Sequence, residues 1–167
     1  MLFFGIDPSF SETGISVIDE EGFHDTVTCR TANKDLDEDR ILAITHGIME
    51  FLLDHEISKD HTVYIEGLAY SRISSSTHRL AGLHYYLRTR LHNAGFKFSI
   101  VPPSTLKKFV LGKHNKKGTK KQQMLLYIYK RWGQEFLNDN KADAFALAQY
   151  GRYQNGYGKD SERTTDE

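Results

Sequence analysis

Three carboxylates in this chain occupy positions where an acid is costly. Asp7 closes the apolar run Leu2-Phe3-Phe4-Gly5-Ile6, and Glu66 closes another, Thr62-Val63-Tyr64-Ile65. Asp143 sits in an alanine-rich segment, Ala142 to Ala148, on a helical face shared with Ala146 and Leu147. An acid at the end of a buried strand carries a desolvation cost unless a cation pairs with it. One such residue is ordinarily a cap or half of a salt bridge. Three converging on one sheet edge repel one another, and a divalent metal is the natural neutraliser. Oxygen ligands with no His or Cys nearby select magnesium or manganese.

The elements that must position them read as follows. Leu2 to Ile6 is a buried strand, Thr13 to Ile18 a second, and Gly22 turns the chain into a third, Phe23 to Cys29, giving an antiparallel meander. The acids from Asp35 to Asp39 suit a helix N-terminus, and Ile41, Ile44, Ile48, Phe51 and Leu52 continue at helical spacing to about Glu56. A fourth strand, Thr62 to Glu66, precedes a polar loop through Ser76, a helix from Thr77 to Asn93 and a fifth strand from Phe96 to Val101. Ser104 is an expected N-cap for a helix to Leu111, and Thr119 with Gln122 a capping box for a helix to Trp132. The last helix is expected from Lys141 to Tyr153, with a disordered tail from Gln154. The fold class is therefore α/β, a mixed five-stranded sheet flanked by helices, in one domain over residues 1–153.

Length and composition agree with one soluble domain: 167 residues, 39% hydrophobic and 12% aromatic. No apolar run approaches the roughly 20 residues that span a bilayer, and no membrane partner is expected. The lone Cys29 allows no internal disulfide, which fits a reducing compartment such as the cytoplasm. The formal net charge is zero, yet no acid occurs between Gly67 and Gln134. Fourteen of the 22 basic residues fall in that stretch, leaving eight against all 22 carboxylates elsewhere. Such a dipole is the footprint of a polyanionic partner.

These residues carry a resemblance. Phe4-Gly5-Ile6-Asp7-Pro8-Ser9 with Thr13-Gly14, then Val63-Tyr64-Ile65-Glu66, then Ala142-Asp143-Ala144-Phe145-Ala146-Leu147-Ala148 are similar to successive motifs of the RuvC family of Holliday junction resolvases. Pro102-Pro103-Ser104-Thr105-Leu106-Lys107-Lys108-Phe109-Val110-Leu111-Gly112, followed by Lys121-Gln122-Gln123-Met124, resembles the family's basic segment. The match runs in order from about Met1 to Tyr150. It implies a ribonuclease H-like fold, a homodimer acting on four-way and branched DNA junctions, a bacterial or phage-host cytoplasm, and two Mg2+ or Mn2+ ions held by four acids.

By that resemblance Asp7, Glu66 and Asp143 match three of the acids, and Asn140 stands where the fourth is found. Three readings stay open: Asn140 ligates as an amide and leaves the second metal weaker, Asp139 substitutes for it, or an aspartate was replaced to trap uncleaved DNA. In the implied mechanism one metal generates the nucleophilic hydroxide and the other stabilises the leaving 3′ oxygen, with the ions about 3.5–4 Å apart. Lys107 and Lys121 would neutralise charge on the scissile phosphate. Lys108, Lys113, Lys116, Lys117 and Lys120 extend the basic segment, and Tyr70 and Arg72 lie in the loop after Glu66, where an aromatic can stack on a base.

On the helix from Thr77 to Asn93, Leu80, Leu83, Leu87 and Leu91 face either their own core or, as the resemblance suggests, a dimer seam. His84 and His92 read there as packing or surface residues. Ile6-Asp7-Pro8-Ser9 with Thr13-Gly14 also resembles the phosphate loop of actin-like kinases and ATPases, but 167 residues cannot supply their second domain. A ribonuclease H acting on hybrids and a non-catalytic junction-binding module remain as alternatives, the latter supported by Asn140.

Overall fold

The computed structural model describes residues 1–68, 75–115 and 121–158. Its elements are β1 (Leu2–Asp7), β2 (Glu12–Asp19), β3 (His24–Arg30), α1 (Asp37–Asp54), β4 (Thr62–Glu66), α2 (Ser75–Asn93), β5 (Lys97–Val101), α3 (Pro103–Leu111), a 3-10 turn (Gly112–His114), α4 (Lys121–Trp132) and α5 (Asp139–Gln154). The five strands form one sheet in the order β3-β2-β1-β4-β5. The β1-β2-β3 meander is antiparallel, whereas β1–β4 and β4–β5 are parallel. The expected mixed five-stranded sheet is what forms.

Strand alternation sends side chains to two separate cores. Phe4, Ile6, Ile15, Val17, Val63 and Ile65 pack with Ile44, Ile48 and Leu52 of α1 and with Leu83, Leu87 and Leu91 of α2. On the other face, Ile18, Tyr64 and Val101 pack with α3, α4 and α5. The leucine stripe of α2 is thus spent on its own core, with Leu83, Leu87 and Leu91 all at 0% exposure. Those three leucines are not available to a dimer seam.

Helix boundaries differ from the expected ones where capping chemistry differs. α1 starts at Asp37 behind Leu36, with no side-chain cap and with Asp37, Glu38 and Asp39 in its first turn. Pro102, not Ser104, occupies the cap of α3, and Pro103 takes the first helical position. A proline fits there because that N–H would lack a helical partner anyway. α5 begins two residues early because the side chain of Asn138 accepts the N–H of Lys141 at 3.0 Å. Beyond Gln154, the Tyr157 ring lies 5.6 Å from Phe3 and its hydroxyl donates to Glu20. Thr119 and residues 159–167, most of the expected tail, lie outside the described residues.

The tightest junction is between α5 and the sheet. A Cβ on Gly5 would stand 2.1 Å from the carbonyl oxygen of Ala144, and one on Gly14 2.0 Å from that of Asn140. Neither position accepts any side chain while α5 stays seated. Gly14→Ala is therefore expected to cost about 1–3 kcal/mol of stability or more, as overpacking does. Denaturant unfolding of the variant checks this; an unchanged midpoint would contradict the close seating.

Candidate active site

Parallel pairing sets the first two acids side by side. Ile6 lies opposite Ile65, so the next residues, Asp7 and Glu66, end their strands together. Ile6 and Ile65 turn toward the α1–α2 layer, and alternation turns Asp7 and Glu66 toward α5. Asp7 is buried at 7% exposure, and Glu66 is half-buried.

α5 arrives over this edge by its N-terminal end. Gly14, which pairs with Asp7 across β1 and β2, touches Asn140 and Ala144, whereas Gly5 touches Ala144, Leu147 and Ala148. At the far end, Arg152 donates to the Glu20 carbonyl at 2.7 Å. The helix therefore runs antiparallel to β1, with its positive dipole end toward the acids, a placement worth about 0.3–1 kcal/mol per carboxylate near that end. The row Asn140-Ala144-Ala148 lies over β1 and β2. The neighbouring row Asp139-Asp143-Leu147-Gly151 lies toward β4, where a Cβ on Gly151 would meet the Tyr64 ring at 2.4 Å. Both Asn140 and Asp139 are thus within the first turn of α5 at the acidic edge, on different rows.

The backbone brings the acids to one edge, but their side chains do not close into a cage. Among the described residues, no group of three His, Cys, Asp or Glu side chains is close enough to hold one metal ion. Like charges so placed repel until a cation lies between them. The donor chemistry, carboxylates with one amide and no His or Cys, suits a hard divalent ion.

His84 is a residue whose place sequence reasoning missed. It is buried at 3% exposure, and its Nε2 donates to the Glu66 carbonyl at 3.0 Å. Burial holds this imidazole toward its neutral form, partly opposed by that backbone bond. The expectation of a packing residue is right, but the packing is against the end of β4 that carries Glu66. The available signal was only its place beside Leu83 and Leu87 on the buried stripe.

The basic residues are less completely located. The Gly67 N–H donates to the Val101 carbonyl at 2.8 Å, so β5 ends beside Glu66 and α3 departs from the same edge. Lys107 and Lys108 are exposed on α3, and Lys113 on the turn that follows. Arg131 of α4 donates to the carbonyl of Phe109, tying α3 to α4. Lys121 is the first residue of α4. Tyr70, Arg72, Lys116, Lys117 and Lys120 lie outside the described residues. No described helix is long and apolar enough to cross a membrane.

Comparison with known proteins bears on the fold and the family. A search of curated proteins finds no match. Among solved structures, the chain is similar to Thermus thermophilus RuvC, with a TM-score of 0.74 and 19% identity over 93% of this chain and 96% of that one. It is also similar to T. thermophilus RuvC in complex with Holliday junction substrate, with a TM-score of 0.71 and 17% identity over 93% and 97% of the two chains. At such identities the likeness speaks for the fold alone. The model of the family described as crossover junction endodeoxyribonuclease RuvC matches residues 3–150, from β1 into α5, and the chain belongs to that family.

Proposed function

We propose that this chain is a structure-selective endonuclease that binds four-way and branched DNA junctions as a homodimer and resolves them by paired phosphodiester hydrolysis. The observation that carries this is the parallel register ending β1 and β4 on Asp7 and Glu66 beneath the N-terminus of α5, in a chain of the RuvC family. The solved relative bound to a Holliday junction supports the choice of substrate.

Two Mg2+ or Mn2+ ions would be held by Asp7, Glu66 and Asp143, with Asn140 or Asp139 as the fourth ligand. Bound there, they would activate water and stabilise the leaving oxygen. The chain's own part is positional. Strand pairing sets Asp7 beside Glu66, and the seated helix brings the turn that carries Asp143 to the same edge. Lys107 and Lys121, on α3 and α4, would neutralise charge on the scissile phosphate, with Lys108, Lys113, Lys116, Lys117, Lys120 and Arg72 along the strand and Tyr70 against a base. With the α2 leucines buried, a dimer seam on α2 would use Tyr85 and Tyr86, which are 61% and 39% exposed. The nuclease domain would comprise residues 1–153, and a cytoplasmic site of action fits the single cysteine.

One observation favours a second reading, junction binding without cleavage: Asn140 supplies no charge where a fourth acid is expected.

Magnesium-dependent nicking of a four-way junction, compared with a linear duplex, tests the proposal. Paired cuts confined to the junction are expected. Binding without cleavage, even after Asn140→Asp, would leave only the second reading. Asp7→Asn is expected to lower cleavage about 100- to 1,000-fold, the scale of losing one preorganised electrostatic contact, with junction binding nearly intact. A parallel loss of binding would contradict a ligand role for Asp7. Asn140→Asp is expected to raise cleavage most at low magnesium, read from rates across a magnesium titration. An unchanged rate would assign the fourth position to Asp139 or to no residue.

A further inference from the structure

A second charged site lies beside the loop that follows Asp7. A pocket of about 310 Å³ is lined there by Ser9, Phe10, Ser11, Asn33, Arg40 and Arg79 among others, and no carboxylate lines it among the described residues. Arg40 is only 2% exposed. Its Nε donates to the Thr31 hydroxyl at 3.0 Å, and one terminal nitrogen donates to the Phe10 carbonyl at 2.8 Å and to Asn33 Oδ1 at 3.2 Å. Arg79 pairs with both oxygens of Asp37, through Nε at 2.5 Å and through a terminal nitrogen. Both guanidinium groups lie 5.0 Å from the Phe10 ring centroid, so two cations meet at the loop carrying Ser9 to Ser11.

The charges in this cluster do not balance. Asp37 is the carboxylate paired with Arg79, and it stands 3.9 Å from Arg40 as well. One acid thus serves two guanidinium groups. Asp35, Glu38 and Asp39 are nearby in sequence but exposed, where solvent screens them. Arg40 is committed to the loop by its hydrogen bonds. Arg79 is not, since its side chain is 44% exposed and its partner is itself a surface acid. The pair is bidentate but open to solvent, which screens it, and the same guanidinium fork fits a phosphate as well as a carboxylate.

We infer that this pocket binds a backbone phosphate of the DNA strand, beside the reacting one, with Arg79 exchanging Asp37 for the phosphate while Arg40 holds the loop that follows Asp7. This rests on the reading of the chain as a DNA junction enzyme. The pocket lies on the α1–α2 side of the loop, so it would grip the strand from the side opposite α3 and its lysines.

The test is the salt dependence of DNA binding by the full chain, wild type against Arg79→Ala, on a four-way junction and on a linear duplex. Arg79→Ala is expected to weaken binding several-fold and to reduce the slope of log K against log salt by about 1 on both DNAs. Arg79→Lys should restore the slope but not the full affinity. Asp37→Asn, which releases Arg79, should tighten binding. An unchanged slope in Arg79→Ala overturns the inference, as does an Asp37→Asn variant that binds as weakly as Arg79→Ala, since the pair would then be merely structural. If the wild type does not prefer the junction to the duplex, the junction reading fails. The slope on the duplex still decides the pocket. Competition by inorganic phosphate at constant ionic strength against the wild type alone would show that the pocket takes free phosphate too. Equal competition against Arg79→Ala would overturn the site.

Discussion

Everything at the acidic edge depends on how closely α5 lies on the sheet. Helix backbone meets strand backbone at Gly5 and Gly14, where any Cβ would stand about 2 Å from a carbonyl oxygen of the helix. Ala144 and Ala148 answer those glycines from the helix side. This seating has two consequences. It fixes which turn of α5 stands over Asp7, and it brings the positive end of the helix to the place where three acids accumulate. A longer residue at either glycine would lift the helix and separate Asp143 from the strand ends.

The two faces of the sheet divide the work. The α1–α2 face is conventional core, with leucine and isoleucine stripes interlocked against Phe4, Ile6, Val63 and Ile65. The α5 face carries the acids of the proposed site, because strand alternation turns Asp7 and Glu66 to that side. His84 links the two: it belongs to α2, yet its imidazole holds the Glu66 carbonyl. A buried neutral imidazole donating to a strand end stabilises the position of Glu66 without adding a charge beside the acids.

The charge asymmetry gains a spatial meaning. The acid-free stretch supplies α2, β5, α3 and α4, whereas most acids lie on the meander, on α1 and near the C-terminus. Arg79 crosses that divide to reach Asp37 of α1, so the cluster around Phe10 sits where the basic and acidic parts of the chain meet. There the basic surface comes within a few residues of Asp7, on the flank away from α3.

The strands and helices, the three candidate acids and the expectation of a polyanionic partner were all legible in the sequence. Those rest on local signals: hydrophobic period, acids placed after apolar runs, and a charge count. The start of α5 at Asp139 was less legible, because Asn138, Asp139 and Asn140 are all favoured N-cap types and only the folded turn selects Asn138, whose side chain accepts the Lys141 N–H. Nor did the sequence reveal Arg40 and Arg79 as a pair about one phenylalanine. Arg40 had a faint signal, since it stands at four-residue spacing before Ile44 and Ile48 on the buried stripe, but its partners come from two loops, Thr31 and Asn33 from the one just before α1 and Phe10 from one 30 residues away. The leucines of α2 were legible as a stripe and ambiguous as to partner, and only the packed structure assigned them to this chain's own core. The cluster around Phe10 and the place of the α2 leucines depend on contacts between segments far apart in the chain, which no local periodicity encodes, whereas the start of α5 depends on a choice among neighbouring polar residues.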